Sequence, residues 1–489
     1  MRDNYPKRMK KINFKIILKL LSFIFFIEAC AFALCLPVAI IYNEPLHPFL
    51  WSILVAIIPF GIFRLLVRTK IKDEIQTHEG LLSVVIGWFL MSLLGVLPYI
   101  FSGSIPHFVN AFFESTSGFT TTGSSILTDI ESLPKSILFW RSLTHWIGGI
   151  GIISLVIIIL PSLDIGGYRI FSMESSLQEK IHPRIKTIGR SLLAIYLLLT
   201  FSQVILMMLG GMNLFESLCH SFGTVATGGF SPKNSSMAGY SPYIQYVVTL
   251  FMLLAGMNFL VHFNILMGNF KKAFSNEELR FYLKVIVLAG IFIMSILLLK
   301  TNKPFEEAFR SSFFYVVSIV TCTGFATEDY LLWPSAAWMA IFLLLFAGGS
   351  TGSTAGGIKM ARHLLVLKNI KSVLYKTVHR NGVYPIKFNG SVVSEENNRS
   401  IISFVLLYLV VFVVMTFLLI IDGLDVPGAA SSIATALAGI GPGIGSVGPV
   451  SNFAHLHDFS KTMMSLAMII GRLELLTFFA LFTPAFWKY

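Results

Sequence analysis

Charge is scarce in this chain. Only 13% of its 489 residues are Asp, Glu, Lys or Arg, against roughly 25% in a soluble globular protein. With a hydrophobic share of 55% and a mean hydropathy of +0.76, this excludes an ordinary water-soluble domain. Cysteine is scarce too. Cys30, Cys35, Cys219 and Cys322 form no CxxC pair and three lie in apolar segments, which argues against a disulfide framework or a zinc site. The sequence has no HExxH, no clustered carboxylates and no GxxxxGK[ST] loop. An integral-membrane enzyme would need such a constellation, so the chain reads as a non-enzyme without an organic cofactor.

What is abundant is long apolar runs. They fall at about 14–42, 48–67, 80–101, 136–160, 190–210, 243–268, 282–299, 336–365, 400–421 and 462–487. Roughly 18 to 20 apolar residues cross a bilayer, so ten spans are expected in a polytopic membrane protein. The net charge of +12 would suggest nucleic acid in a soluble protein. Here Lys and Arg cluster at 2–19, 64–72, 169–190, 271–284 and 359–399, while the alternate connections carry few. That alternation is the positive-inside pattern. It assigns both termini and the basic loops to the cytoplasm and calls for no nucleic-acid partner. The N-terminal run is too long for a signal peptide and AFALCLP is a poor cleavage site, so it is expected to stay in the membrane.

After two leading spans (1–75), the other eight form four pairs: 76–165, 166–275, 276–370, and 371–489 with its basic loop. Each pair is joined by a short amphipathic piece, a Thr/Gly-rich turn and a polar stretch. The turns are TTTG (120–123), VATG (225–228), TCTG (321–324) and GIGPG (439–443). The short pieces, following Pro106-His107, Asn213 and Pro304, run for about a dozen residues, too few to span. The fold class predicted is all-α integral membrane, with two leading helices and four helix–re-entrant loop–helix repeats around one pore. Non-helical backbone at membrane depth is tolerated where protein buries it or it lines water. Converging loops offer rings of carbonyl oxygens that replace the hydration shell of a cation. Glycine allows the positive φ that aims them, and the C-terminal ends of the short helices favour positive charge. Thr121, Thr122 and Gly123, Ala226, Thr227 and Gly228, Cys322, Thr323 and Gly324, and Gly439, Ile440 and Gly441 are the candidate ion-binding residues, with Gly123, Gly228, Gly324 and Gly441 as anchors. One such turn could equally be helix packing; four at matching positions could not.

A second segment breaks the run at 336–365. Gly348, Gly349, Ser350, Thr351, Gly352, Ser353, Thr354, Ala355, Gly356 and Gly357 would not hold a straight helix, since each glycine costs about 0.8–1.0 kcal/mol relative to Ala. Broken helices in transporters line the permeation path, so this segment reads as a gate; close helix packing is the rival reading. Arg472 lies near the middle of the last run, where a charge costs about 2.5 to 3.5 kcal/mol. It is expected to face the conduction path and bond carbonyls of the broken helix, with a structural ion pair as the alternative. Arg141 is read as snorkelling to the outer surface, and His145 and His220 as packed, hydrogen-bonded residues. Glu114 and Glu216 either concentrate cations or pair locally.

SGFTTTG (117–123), FWRSLTHWIGGIG (139–151), TVATGGFS (224–231), GGSTGSTAGGIK (348–359) and GIGPGIG (439–445) resemble the motifs of the Trk/Ktr/HKT superfamily of potassium transporters over nearly the whole chain. The two leading spans are most similar to the bacterial TrkH branch. The resemblance implies K+ as the transported ion, a pseudo-four-fold, potassium-channel-like pore in each subunit, and a homodimer in the bacterial inner membrane. It also implies a cytoplasmic TrkA-like nucleotide-binding regulatory ring on the basic inner face, with 359–399 as the docking surface. Gly123 argues for potassium over sodium by the same analogy. Gly439 is a departure, because the family often places Asn there. A Na+-permeable or Na+/H+-coupled symporter of the same superfamily is the competing expectation.

Overall fold

The computed structural model of the protein describes residues 12–67, 77–154 and 181–487. Much of the basic clusters at 2–19, 64–72 and 169–190, the end of the 136–160 run and residues 488–489 lie outside these residues. Two leading helices, α1 (Phe14–Ile41) and α2 (His47–Leu66), pack on each other. Asn13 caps α1 through the Lys15 amide. Its own amide donates to Glu79 Oε1 at 2.8 Å, tying the start of α1 to the third helix.

A recurring order follows: long helix, short helix, loop, second helix. The first unit has α3 (Thr77–Leu94), α4 (Leu97–Phe101), α5 (Phe108–Phe119) and α6 (Lys135–Ser154). The second has α7 (Ile181–Leu209), α8 (Leu214–Val225), α9 (Pro242–Ala255), α10 (Phe259–Leu266) and α11 (Phe270–Phe274). The third has α12 (Glu277–Lys300), α13 (Phe305–Val320), α14 (Ser335–Leu344) and α15 (Met360–Val378). A two-residue hairpin, β1 (Lys387–Phe388) on β2 (Ser391–Val392), is the one strand pair among the described residues. The fourth unit has α16 (Glu395–Ile421), α17 (Val426–Ala438), α18 (Asp458–Arg472), α19 (Leu475–Ala480) and α20 (Pro484–Trp487).

Successive units touch in ring order. Helix α6 packs on α8, α9 on α13, and α18 back on α5. The third and fourth units meet through Phe346 and Phe412, edge to face at 5.1 Å. Two large apolar cores result, one mainly in units two and three and one joining the leading helices to units one and four, beside two small clusters; Trp146, Phe346 and Phe412 pack against both large cores. The outer surface stays apolar: Leu54, Ile58, Phe201, Ile205, Phe292 and Phe417 are all exposed. That belt fits hydrocarbon, which has no water to hydrogen-bond an open backbone and so leaves helices as the spanning elements.

Among the described residues six helices are long and apolar enough to cross a membrane. The expected unbroken second helices of units two and four are not found. Helices α9 and α10 bend by 100° at Gly256–Asn258, where Asn258 accepts from the Leu260 amide and starts a new helix. Helix α18 stops at Arg472, and Glu474 turns the chain with φ 57°. In the third unit the break spans Leu345 to Lys359, the interruption foreseen from its glycines.

Candidate functional site

Each short helix starts at a defined cap. Asn213 accepts from the Glu216 amide and Asp425 from that of Gly428; His107 and Pro304 stand at the other two starts without a side-chain cap bond. At the other end, all four helices terminate in the same way. The first residues in left-handed conformation are Thr121, Thr227, Cys322 and Gly439, with φ of 53°, 55°, 58° and 69°. For Thr, branched at Cβ, this conformation is strained, and strain of this kind persists only where the surroundings over-determine it. The amide of the next residue then reaches back five positions: Thr122 to Ser117, Gly228 to Gly223, Thr323 to Ser318 and Ile440 to Thr435, at 2.7 to 3.0 Å. A glycine with positive φ follows: Gly123, Gly229, Gly324 and Gly441.

This register corrects one anchor. Gly229, not Gly228, matches Gly123, Gly324 and Gly441; Gly228 takes the place of Thr122. The second set is therefore Thr227, Gly228 and Gly229, and Ala226 belongs to the helix end. Two adjacent glycines allow either alignment in a bare sequence, and the five-residue bond chooses between them.

The four loops close on one another. A methyl group on Gly123 would overlap the Gly228 carbonyl oxygen, one on Gly229 that of Thr323, and one on Gly324 that of Ile440. One on Gly441 would lie 3.0 Å from the carbonyl oxygen of Thr122. The contacts run from loop one to two, three, four and back to one. The carbonyls of Thr122, Gly228, Thr323 and Ile440 thus lie in one closed circuit, against backbone that no side chain could share. The helix ends carry the partial negative charge of their macrodipoles to the same place. Gly439 alone has room: a methyl group on it would lie 3.7 Å or more from its nearest neighbours in the other loops.

The glycine-rich segment lies against the helix ends. Thr354 Oγ1 donates to Val225 O at 3.0 Å, at the end of α8. A methyl group on Gly356 would overlap Ala438 O, at the end of α17. Gly352 and Gly357 have φ of 76° and 69°. The Ser350 amide donates to Gly256 O and the Phe259 amide to Gly352 O, so the segment also fills the bend between α9 and α10. Glu278, buried at the start of α12, accepts from the Thr351 amide at 2.6 Å and the Ala361 amide at 2.9 Å.

Arg472 is buried at the end of α18. Its guanidinium donates to Thr354 O at 2.9 Å and Gly148 O at 3.1 Å, bonding the glycine-rich segment as the sequence suggested. The structural ion pair belongs instead to Glu474, which meets Arg362 on α15. Arg141 needs correction as well. It does not snorkel: it is 2% exposed and its Nε donates to Glu114 Oε1 at 2.6 Å. Glu114 is fully buried, so it pairs rather than facing water. Glu216 bonds Tyr240 at 2.8 Å and lies 3.4 Å from Lys233. His145 bonds Gly118 O and His220 bonds Glu216 O and Ser231 Oγ, both as packed residues.

Residues 48–489 match the family model TrkH, described as a cation transport protein. The chain is 36% identical to the Trk system potassium uptake protein TrkH of Escherichia coli K12, over 86% of this chain and 88% of the relative. It is 33% identical to the Trk system potassium uptake protein TrkI of Halomonas elongata, over 96% of each. The fold superposes with a TM-score of 0.90 on the crystal structure of the potassium transporter TrkH from Vibrio parahaemolyticus, at 32% identity, covering 98% of this chain and all of that one.

Proposed function

Because the chain belongs to the TrkH family of cation transport proteins, we propose that it takes up potassium across a bacterial inner membrane through a channel-like, pseudo-four-fold filter. The observation that carries this reading is the closed circuit of four loops, each with a carbonyl set against the next loop's positive-φ glycine. Thr121, Thr122 and Gly123, Thr227, Gly228 and Gly229, Cys322, Thr323 and Gly324, and Gly439, Ile440 and Gly441 supply carbonyls and hydroxyls in place of the ion's water. The membrane potential drives uptake, at about 2.3 kcal/mol per charge for each 100 mV. The N- and C-termini and the basic helix α15 face the cytoplasm.

Residues 348–357 are the gate beneath the filter. Their bonds to the ends of α8 and α18 support this role, and Arg472 adds a positive barrier that withdraws with the segment. The chain works as a homodimer under a cytoplasmic nucleotide-binding ring that docks on 359–399 and moves α15. A second reading, permeation by Na+ as well, is favoured by Gly439, where the fourth loop lacks a side chain. Flux into proteoliposomes under a negative-inside potential tests both. K+ and Rb+ uptake well above Na+, lost in Gly123→Ser, is expected. Equal Na+ and K+ flux in the wild type would replace the first reading with the second.

A further inference from the structure

Behind the circuit of loops, one position of the short helix repeats a task with a different side chain in three of the four units. It stands seven residues before the left-handed residue: Glu114, His220, Tyr315 and Ser432. The Glu114 carboxylate accepts from Ser125 Oγ at 3.0 Å and the Ile126 amide at 3.0 Å. His220 Nε2 bonds Ser231 Oγ at 3.0 Å. The Tyr315 hydroxyl accepts from the amides of Thr327 and Glu328 at 3.1 and 3.0 Å. In each case the short helix grips its own chain as it returns from the loop, four to six residues past the left-handed residue.

The pattern varies for reasons the residues supply. Five residues past the left-handed position the amide is bonded in three units: Ile126, Thr327 and Ile444. In the second unit that place is Pro232, which has no N–H, and the hydroxyl of Ser231 is held instead. In the fourth unit Ser432 Oγ is buried without a hydrogen-bond partner among the described residues. The grip passes to the adjacent Ser431, whose Oγ accepts from the Ile444 amide at 2.9 Å.

Only the first grip is ionic, and it is shared. Arg141 donates to Glu114 and, through Nη1, to Ser231 O at 2.8 Å, the residue His220 also holds. Its guanidinium lies 3.6 Å from the centre of the Phe230 ring, which stacks on His145 at 4.1 Å. His145 lies directly behind Gly228, whose missing Cβ would come within 2.5 Å of the imidazole. Loops one and two are thus fastened together from behind by a charged pair, while loop four is held by neutral hydroxyls: Ser431 on the Ile444 amide, Ser124 Oγ on Gly441 O at 3.1 Å and the Tyr330 hydroxyl on Gly443 O.

We propose that Glu114 and Arg141 are positioning residues for ion discrimination: their buried pair fixes the separation of loops one and two, so the circuit does not contract around an ion smaller than K+. This rests on the proposed potassium filter. A buried charge left without its partner is strongly destabilising, whereas replacing both charges together is often tolerated. The test therefore compares wild type, the double variant Glu114→Gln/Arg141→Gln, and Ser125→Ala, which removes one donor to the grip. Thermal stability is measured in detergent, and K+ and Na+ fluxes in proteoliposomes at one imposed potential.

The expected result is a K+/Na+ flux ratio about tenfold lower in the double variant and lowered in the same direction in Ser125→Ala, on the scale of one to two lost hydrogen bonds. A merely structural role would lower stability and total flux while leaving the ratio in place. A wild-type ratio in folded Ser125→Ala and in the double variant overturns the proposal. If the double variant does not fold, an unchanged ratio in Ser125→Ala overturns it alone. A wild type that fails to prefer K+ overturns the filter reading itself, which separates the two failures.

Discussion

Glu278 offers the most direct measure of what holds the proposed gate closed. One buried oxygen of this carboxylate accepts two amides, Thr351 inside the glycine-rich segment and Ala361 just beyond it, at 2.6 and 2.9 Å. Moving residues 348–357 away from the start of α12 breaks the first bond, and moving α15 with them breaks the second. A hydrogen bond to a charged group contributes about 1.5–3 kcal/mol. The two together stabilise the closed arrangement by about 3–6 kcal/mol, less whatever the freed groups regain from water. Taking about 3 kcal/mol, Glu278→Ala raises the opening equilibrium by about a hundredfold. Glu278→Gln keeps a neutral acceptor in place and falls between. The assay is basal K+ flux into proteoliposomes of the chain alone, with hydrogen exchange of the Thr351 and Ala361 amides followed in parallel. Faster exchange and higher flux, ordered Ala above Gln above wild type, are expected. Faster exchange without higher flux in Glu278→Ala would show that releasing the segment does not open the path, and the gating role would be withdrawn.

Other consequences are open to test. Gly229→Ala meets the Thr323 carbonyl at a φ of 81° and should abolish K+ flux, with no side-chain change able to restore it. Gly228→Ala meets the His145 ring instead, so Gly228→Ala/His145→Ala should recover flux that Gly228→Ala alone loses; recovery would confirm the register in which Gly229 is the anchor. Gly439→Asn places its Cβ at ordinary van der Waals distance, 3.7 Å or more from its neighbours, in a left-handed conformation that Asn accepts readily, so it should fold with a melting temperature close to wild type and retain K+ uptake. Arg472→Gln removes the charge and one of two carbonyl contacts. Basal K+ flux should rise, and no rise in a folded variant would exclude the positive barrier.

Much of this arrangement is legible in the chain because its signals are collective. Long apolar runs identify the spanning helices, and four Thr/Gly turns at matching places identify the loops. What is missed depends on a single residue or on partners far away in sequence. The bend at Gly256–Asn258 is hidden because one glycine in an apolar run is normally tolerated. It is Asn258, capping α10 from within the run, that starts a new helix. Arg141 looks like a terminal residue reaching for water until Glu114, on another helix, comes within 2.6 Å. Spacing along one chain gives no hint of such a pair.

The four units share a backbone but not a chemistry, and that inequality has a physical use. The left-handed residue, the five-residue amide bond and the positive-φ glycine recur in all four, as a circuit of carbonyls requires. The side chains behind them are free to differ: a carboxylate with its arginine, a histidine, a tyrosine, a serine. Four identical grips would give every loop the same stiffness. Here the one ionic grip lies between loops one and two. Loop four combines the smallest grip with Gly439 and adjoins, through Ala438, the glycine-rich segment at Gly356. The proposed gate touches the helix ends that lead into loops two and four, at Val225 and Ala438. Displacement of residues 348–357 would therefore reach the filter at loops two and four, and the ionic grip behind loops one and two would hold their spacing against it.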